Sequence, residues 1–324
     1  MQSVVRKCTG VRADFPVLRC VRALAGAALL WLSQPAAAVE PLPVREVAAG
    51  VYVFHGVTAE QDEHNHGAIS NLGFIVGSRC VAVIDSGGSP MVGEALLASV
   101  RAITPLPVCY VINTHVHPDH VLGNQAFLGE KPEFVGHAKL PLALAARGRN
   151  YIEAAERMMG AAGRGLQLVA PTRTVSDEDT LDIGDRVLRL RAWPTAHTDN
   201  DLTVLDERSS TLFTGDLLFV GHMPVVDGKL VGWIAVTDEL ARMKVTHVVS
   251  GHGDAGDAWR EAFDKQGNYL RALYAQTRAA IRDGVRLSRA VETVGRDQID
   301  NWALSGLFHR RNVTAAYAEL EWED

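Results

Sequence analysis

The sequence has no excess of positive charge. Its 324 residues include 32 Lys and Arg against 38 Asp and Glu, which gives a net charge of -6 and a pI near 6.1. The basic residues are scattered, and no stretch interleaves them with aromatic residues on one face, so a nucleic-acid partner is not predicted. With 47% hydrophobic residues, the chain can bury the core of one large domain, with or without a tail.

Cysteine is also scarce, with four residues in the whole chain. Cys8 and Cys20 lie in the N-terminal segment, which leaves Cys80 and Cys109 for the remainder. Neither of these has metal-ligand spacing, and two buried thiols or one disulfide are both open. No serine or cysteine stands in a nucleophile-elbow pattern, so the sequence does not indicate a serine or cysteine hydrolase of that kind.

Long apolar runs are missing as well. The apolar run at 23–32 has about ten residues, whereas a membrane span needs about 20. Arg12, Arg19 and Arg22 precede it, and Ala36, Ala37 and Ala38 follow it. This order is typical of a secretory signal, and an uncleaved anchor or a core helix is the alternative. We therefore predict a signal peptide over 1–38, cleavage before Val39, and a periplasmic or secreted protein without stable membrane insertion.

Histidine and aspartate, in contrast, are concentrated in one short stretch. His115, His117, Asp119 and His120 fall within six residues, directly after an apolar run at 107–112 that predicts a buried strand. In an extended segment, residues two apart point to the same side, so His115 and His117 can hold one ion. Asp119 and His120 follow a proline that bends the chain and can turn towards a second ion. Such ligands suit Zn²⁺ and also Fe or Mn.

The stretch resembles the H-x-H-x-D-H signature of the metallo-β-lactamase superfamily. Further residues that the resemblance requires occur in order as His197, Asp216 and His252. The resemblance implies a four-layer αββα sandwich over 39–324. The apolar positions from about Asp257 onward predict a mainly helical C-terminal part. The resemblance also implies two Zn²⁺ ions. His115, His117 and His197 would hold one, Asp119, His120 and His252 the other, and Asp216 would bridge them.

The implied activity is hydrolysis of a small molecule by a hydroxide shared between the two ions, with Asp119 and Asp216 in the catalytic centre. An aspartate at position 216 resembles glyoxalase II and lactonases, so an ester, thioester, lactone or lactam is the expected substrate. The stretch 312–321 resembles exported zinc hydrolases encoded with quinoprotein dehydrogenase or sulfur-oxidation systems. Two alternatives within the superfamily are a β-lactamase and a persulfide dioxygenase, which binds a single iron and uses O₂.

Other polar residues near the expected site have weaker signals. Asp85 follows a predicted strand and either orients a metal ligand or caps the next helix. His64 and His66 lie in a polar loop that we interpret as solvated, with a substrate contact as the alternative. His137 lies outside the ligand set and is interpreted as structural.

The alternation of apolar residues also predicts individual elements. Strands are expected over 44–47, 51–55, 69–76, 80–84, 133–136, 187–192, 202–206 and 211–214. Helices are expected over 91–103, from 122 to 127 and over 140–159, with a flexible break at 160–165.

Overall fold

The computed structural model describes residues 9–10, 12–14 and 39–322. Residues 39–322 belong to one compact unit. The signal peptide expected over 1–38 lies almost entirely outside the described residues, so its cleavage stays a prediction.

The first sheet has seven strands that follow one another in chain order. β1 to β4 pair antiparallel, and β4 to β7 pair parallel. Parallel neighbours end at the same edge of a sheet, so the loops after β4 and β5 lie side by side. The strands are β1 Arg45–Ala48, β2 Val51–Phe54, β3 Leu72–Val76, β4 Val81–Ile84, β5 Val108–Ile112, β6 Glu133–His137 and β7 Arg173–Val175.

The second sheet has five strands in the order β12-β11-β10-β9-β8. Neighbours from β8 to β11 are antiparallel, and β11 pairs parallel with β12. The strands are β8 Glu178–Asp182, β9 Val187–Ala192, β10 Leu202–Asp206, β11 Thr211–Phe219 and β12 His247–His252.

The described α-helices are α1 Pro90–Ile103, α2 Pro118–Val121, α3 Leu140–Met159, α4 Leu230–Ala241, α5 Trp259–Arg282, α6 Leu287–Thr293 and α7 Ser305–Leu320. α1 packs on the first sheet and α4, α5 and α7 pack on the second, whereas α2 is a single turn within the histidine loop. Short 3₁₀ segments lie at Asn124–Glu130, Gly160–Gly163, Gly256–Ala258 and Ile299–Asn301. Among the described residues, none of these helices combines the length and the apolar character that crossing a membrane requires.

Three buried apolar clusters separate the layers. One lies between the sheets, where Ile75 and Ile84 meet Leu190 and Val204. A second joins the first sheet to α1. The third joins the second sheet to α4, α5 and α7. The chain is therefore the expected four-layer sandwich of two sheets flanked by helices.

Some local predictions were wrong. The helix expected from 122 to 127 instead begins at Pro118 as α2, stops after one turn, and continues as a 3₁₀ segment from Asn124. Gly123 lies at the break, where an added Cβ would be 2.0 Å from the carbonyl oxygen of Ser86. The residues 160–165 form a 3₁₀ turn at their start, and α4, β7 and β8 were not predicted at all.

The two cysteines of the domain form a disulfide, which resolves the alternative left open by the sequence. Cys80 directly precedes β4, Cys109 lies in β5, and their Cα atoms are 5.8 Å apart. The bond therefore joins the two strands whose ends carry Asp85 and the histidine loop.

Candidate metal centre

The seven expected ligands lie together at one edge of the sandwich. They form two groups within which the ligand atoms are no more than 4.8 Å apart. The first group is His115, His117, His197 and Asp216, and the second is Asp119, His120 and His252. All seven side chains are buried except that of His117, which is 17% exposed. The division into two groups matches the expected one, with Asp216 assigned to the first.

Loops at the carboxyl ends of strands supply most of these residues. His115 to His120 follow β5, His197 follows β9, and His252 is the last residue of β12. Asp216 differs, because β11 does not end at Thr214 as expected but continues to Phe219. Its pairing with β12 shifts register on both sides of Gly215, which has a φ of +52°. This irregularity lets Asp216 face the site from within a strand.

Each histidine of the first group is held by its outer ring nitrogen. Nδ1 of His197 lies 2.7 Å from the carbonyl oxygen of Val225, and Nε2 of His117 lies 2.9 Å from a carboxylate oxygen of Asp227. These oxygens only accept hydrogen bonds, so the ring nitrogens must donate. Nδ1 of His115 lies 3.1 Å from the hydroxyl of Thr114. The inner nitrogen of each ring is then left with its lone pair.

The second group is held in the same way. Nδ1 of His120 donates to Asp85 at 2.8 Å, and Nδ1 of His252 donates to the carbonyl oxygen of Ile69 at 3.0 Å. Asp85 also accepts hydrogen bonds from the backbone and side chain of Thr114, both at 2.8 Å. It has a φ of +57°, and the cap of α1 is Ser89. Of its two interpretations, Asp85 therefore takes the ligand-orienting one.

The inner atoms fit divalent cations. Nδ1 of His117 lies 3.1 Å from Nε2 of His115 and 3.0 Å from Nε2 of His197, so three lone pairs face one another. Nε2 of His120 and one carboxylate oxygen of Asp216 are buried and lie 3.2 Å apart without the geometry of a hydrogen bond. Converging lone pairs and unpaired buried acceptors are unfavourable unless a cation lies among them.

Asp216 faces both groups. Its carboxylate oxygens lie 3.6 Å and 3.5 Å from Nε2 of His115 and His197 in the first group. They lie 3.2 Å and 3.5 Å from Nε2 of His120 and His252 in the second. The side chain is therefore placed where it can contact ions in both groups.

The two groups differ in their electrostatics. Burial lowers the pKa of His197 to about 3, and burial with the neighbouring His120 lowers the pKa of His115. Burial alone would also lower the pKa of His252, but Asp216 and Asp119 raise it to about 9. The pKa of His120 is raised against the effect of burial by Asp216, Asp119 and Asp85. The carboxylates therefore give the second group a more negative electrostatic environment than the first.

A cavity of about 300 Å³ opens over both groups. His117, Asp119, Asp216 and His252 form its floor. Its walls are largely apolar, with polar groups at Glu60, Gln61, His222 and Arg311, and the apolar wall residues include Ile69, Met158, Phe219, Val225 and Phe308. The volume suits a small molecule.

The remaining polar residues near the site lie either on the surface, in the core or in the cavity wall. His64 is 85% exposed, in agreement with the solvated-loop interpretation, whereas His66 is half-buried, and neither lines the cavity. His137 is buried and accepts a hydrogen bond from the backbone of Lys139, which is a structural role. His222 in the cavity wall and Asp227 behind His117 were not predicted. Neither belongs to a short motif, and only the folded chain brings them to the site.

A model of the metallo-beta-lactamase superfamily matches residues 67–273. The chain belongs to that superfamily, a family of metal-dependent hydrolases, and the histidine and aspartate cluster fits this class.

The similarity of this chain to a curated relative is low in sequence identity. The chain is 28% identical over 190 residues to acyl-coenzyme A thioesterase MBLAC2 from Bos taurus, a match that covers 53% of this chain and 63% of that protein. The chain thus spans less than two thirds of that relative's length.

Among solved structures, a metallo-beta-lactamase from Pontibacter korlensis superposes with a TM-score of 0.58 at 19% identity, covering 71% of this chain and 99% of that one. The inverting sec-alkylsulfatase Pisa1 from Pseudomonas sp. gives 0.66 at 17% identity, covering 86% and 50%. These likenesses show the fold.

Proposed function

We propose that this chain is an exported hydrolase with two zinc ions that cleaves an ester, thioester or lactone. The observation that carries the proposal is the pair of adjacent groups, each with histidine nitrogens and a carboxylate turned inwards. Neutral imidazole and carboxylate are the common protein ligands of zinc in hydrolytic sites. Two such ions, when bound, lower the pKa of a shared water and polarise the bond to be cleaved.

The residues of the chain perform three tasks in this proposal. The outer hydrogen bonds of the histidines fix each ring in one tautomer and one orientation, so that no reorganisation is needed when an ion binds. Asp216 keeps the two groups at a fixed spacing because it faces both. The apolar wall around Ile69, Phe219 and Val225 binds the acyl part of a substrate and excludes water from around the scissile bond.

An acyl thioester is the substrate class we favour. A distant relative is an acyl-coenzyme A thioesterase, and the apolar cavity of this chain suits an acyl group. A β-lactam ring is the second candidate, and the likeness to a solved metallo-beta-lactamase supports it only through the fold.

Export is supported by two independent features. One is the order of arginines, apolar run and alanines over 12–38. The other is the disulfide between Cys80 and Cys109, since such bonds persist mainly in oxidising compartments.

The test is metal analysis of the purified protein together with a substrate panel assayed without oxygen. We expect about two Zn²⁺ per chain and hydrolysis of an acyl thioester or lactone. Hydrolysis of β-lactams alone would transfer the assignment to the β-lactamase alternative. A single iron with O₂ consumption on a persulfide would replace it with the dioxygenase alternative.

A further inference from the structure

The C-terminal helix α7 lies outside the region that matches the superfamily model, yet it contacts the backbone beside the first metal group. Its residue Asn312 is fully buried. Nδ2 of Asn312 donates to the carbonyl oxygen of Pro224 at 2.6 Å, and Oδ1 accepts from the backbone nitrogen of Val226 at 2.9 Å. The two contacts bracket Val225, whose carbonyl oxygen holds Nδ1 of His197.

The orientation of this amide is fixed by its partners. A carbonyl oxygen can only accept and a backbone N–H can only donate, so the amide of Asn312 cannot be reversed. A second bond from Nδ2 reaches the hydroxyl of Tyr269 at 2.9 Å. That hydroxyl donates in turn to Nδ1 of His309 at 3.2 Å, because Nε2 of His309 donates to the carbonyl oxygen of Val294. Every polar atom of the buried side chain is thereby used.

Two further contacts hold the same segment from the C-terminal side. The backbone of Ala303 pairs with Gly221 and Met223. The carboxylate of Glu319 accepts from the backbone nitrogens of Leu230 and Val231, at 2.6 Å and 3.3 Å. The segment 221–231 is thus fixed at both ends and in the middle, and Asn312 is the middle contact.

We propose that Asn312 is a positioning residue for the metal ligand His197. By holding Pro224 and Val226, it keeps the carbonyl of Val225 aimed at Nδ1 of His197, so that Nε2 points into the first group. The inference rests on the proposed metal-dependent function, and it assigns to α7 a part in metal binding in addition to its part in the core.

The sharpest variant is Asn312→Asp, which keeps the shape of the side chain but replaces the donor with an acceptor. It leaves the contact to Val226 intact and places an oxygen against the carbonyl of Pro224. The matched control is Val313→Ala, because Val313 is also fully buried in α7 but packs into the apolar cluster. A general loss of packing would affect both variants, whereas a loss of positioning affects only Asn312→Asp.

Two readouts are needed, both on the full chain. The first is the affinity of each variant for Zn²⁺ in competition with a chelator, together with the absorption spectrum of the cobalt-substituted protein. We expect Asn312→Asp to bind the first-group ion at least about tenfold more weakly, with an altered spectrum, and Val313→Ala to stay within about twofold of the wild type. The second is the tautomer of His197 in the metal-free protein, measured by nitrogen NMR. We expect the proton on Nδ1 in the wild type and in Val313→Ala, but not in Asn312→Asp.

The outcomes separate this inference from the proposed function. If the wild type binds no divalent cation, both fail. If the wild type binds two ions but Asn312→Asp binds them equally well, or Val313→Ala loses as much affinity, the positioning role is wrong while the proposed function stands. Should Asn312→Asp not fold, Tyr269→Phe removes a single partner of Asn312 and must still weaken the first ion by clearly more than Val313→Ala does for the inference to survive.

Discussion

The two metal groups are supported mainly by different parts of the chain, although Thr114 contacts both His115 of the first group and Asp85 behind the second. Val225 and Asp227, which hold His197 and His117, belong to the segment after β11, and that segment is fixed by the C-terminal helix. The second group depends on Asp85 after β4 and on Ile69 before β3, both in the first half. A change at Val225 or Asp227 can therefore weaken the first ion and leave the second in place.

Charge distinguishes the groups in a second way. In the first group, burial lowers the pKa of His115 and brings that of His197 to about 3. In the second, the carboxylates around His252 bring its pKa to about 9. An ion entering the second group must displace protons, whereas an ion entering the first meets free lone pairs. We therefore expect the affinity of the second group for a metal ion to depend more strongly on pH than that of the first.

The largest effect is expected from removing one ligand of each group. His120→Ala should reduce the metal content towards one ion per chain and slow hydrolysis by about 10³-fold, because one of the two activating cations is lost. His197→Ala should also reduce the metal content towards one ion per chain, but by loss of the first-group ion. His64→Ala is the matched control, since that exposed histidine lies outside both groups. Metal analysis and steady-state rates are the measurements, and two ions retained in His120→Ala would contradict the assignment.

A smaller effect is expected from the carboxylates behind the ligands. Asp85→Asn should weaken the ion of the second group by about 10-fold to 100-fold, and Asp227→Asn that of the first, because each loses a charged acceptor for a histidine N–H. Chelator competition measures both affinities. The control is Asp238→Asn, which alters the ion pair between Asp238 on α4 and Arg271 on α5. If both site variants weakened the same ion, the two supports would not be separate.

The smallest effect is the pH dependence of affinity. Below pH 9, His252 is protonated in the metal-free protein, so the affinity of the second group should fall by up to about tenfold for each pH unit and each displaced proton as the pH falls from 9 to 6. The first group should change little in that range, because the pKa of His197 is about 3. Calorimetry in buffers of different ionisation enthalpy measures the protons released. If both metal-binding steps released the same number of protons, the expected electrostatic difference between the two groups would be wrong.

The seven residues that meet at the site could be predicted from the sequence because each lies in a short motif near the end of an apolar run. The sandwich followed from the same runs, and β9 and β10 were placed at their observed bounds. The supports could not be predicted in this way. Asp227 is 110 residues from His117, and Asn312 is 86 residues from Val226, so no local pattern connects them.

Strands with little apolar alternation were also missed. β8 is Glu178–Asp182, and its burial pattern shows a single fully buried position. The edge of a sheet tolerates such a polar strand because one side of it needs no partner. The length of β11 was missed for another reason, since Gly215 and Asp216 look like the end of a strand but occupy an irregular pairing within it.

Asp85 has a consequence for attempts to make this protein more robust. Its left-handed backbone is unfavourable for a residue with a side chain, by about 1 kcal/mol, and glycine would relieve that strain. Glycine would also leave Nδ1 of His120 and the hydroxyl of Thr114 without their acceptor. Screening for thermal tolerance alone can therefore favour a change at this position that impairs the second metal group, so such a screen should select for metal retention at the same time.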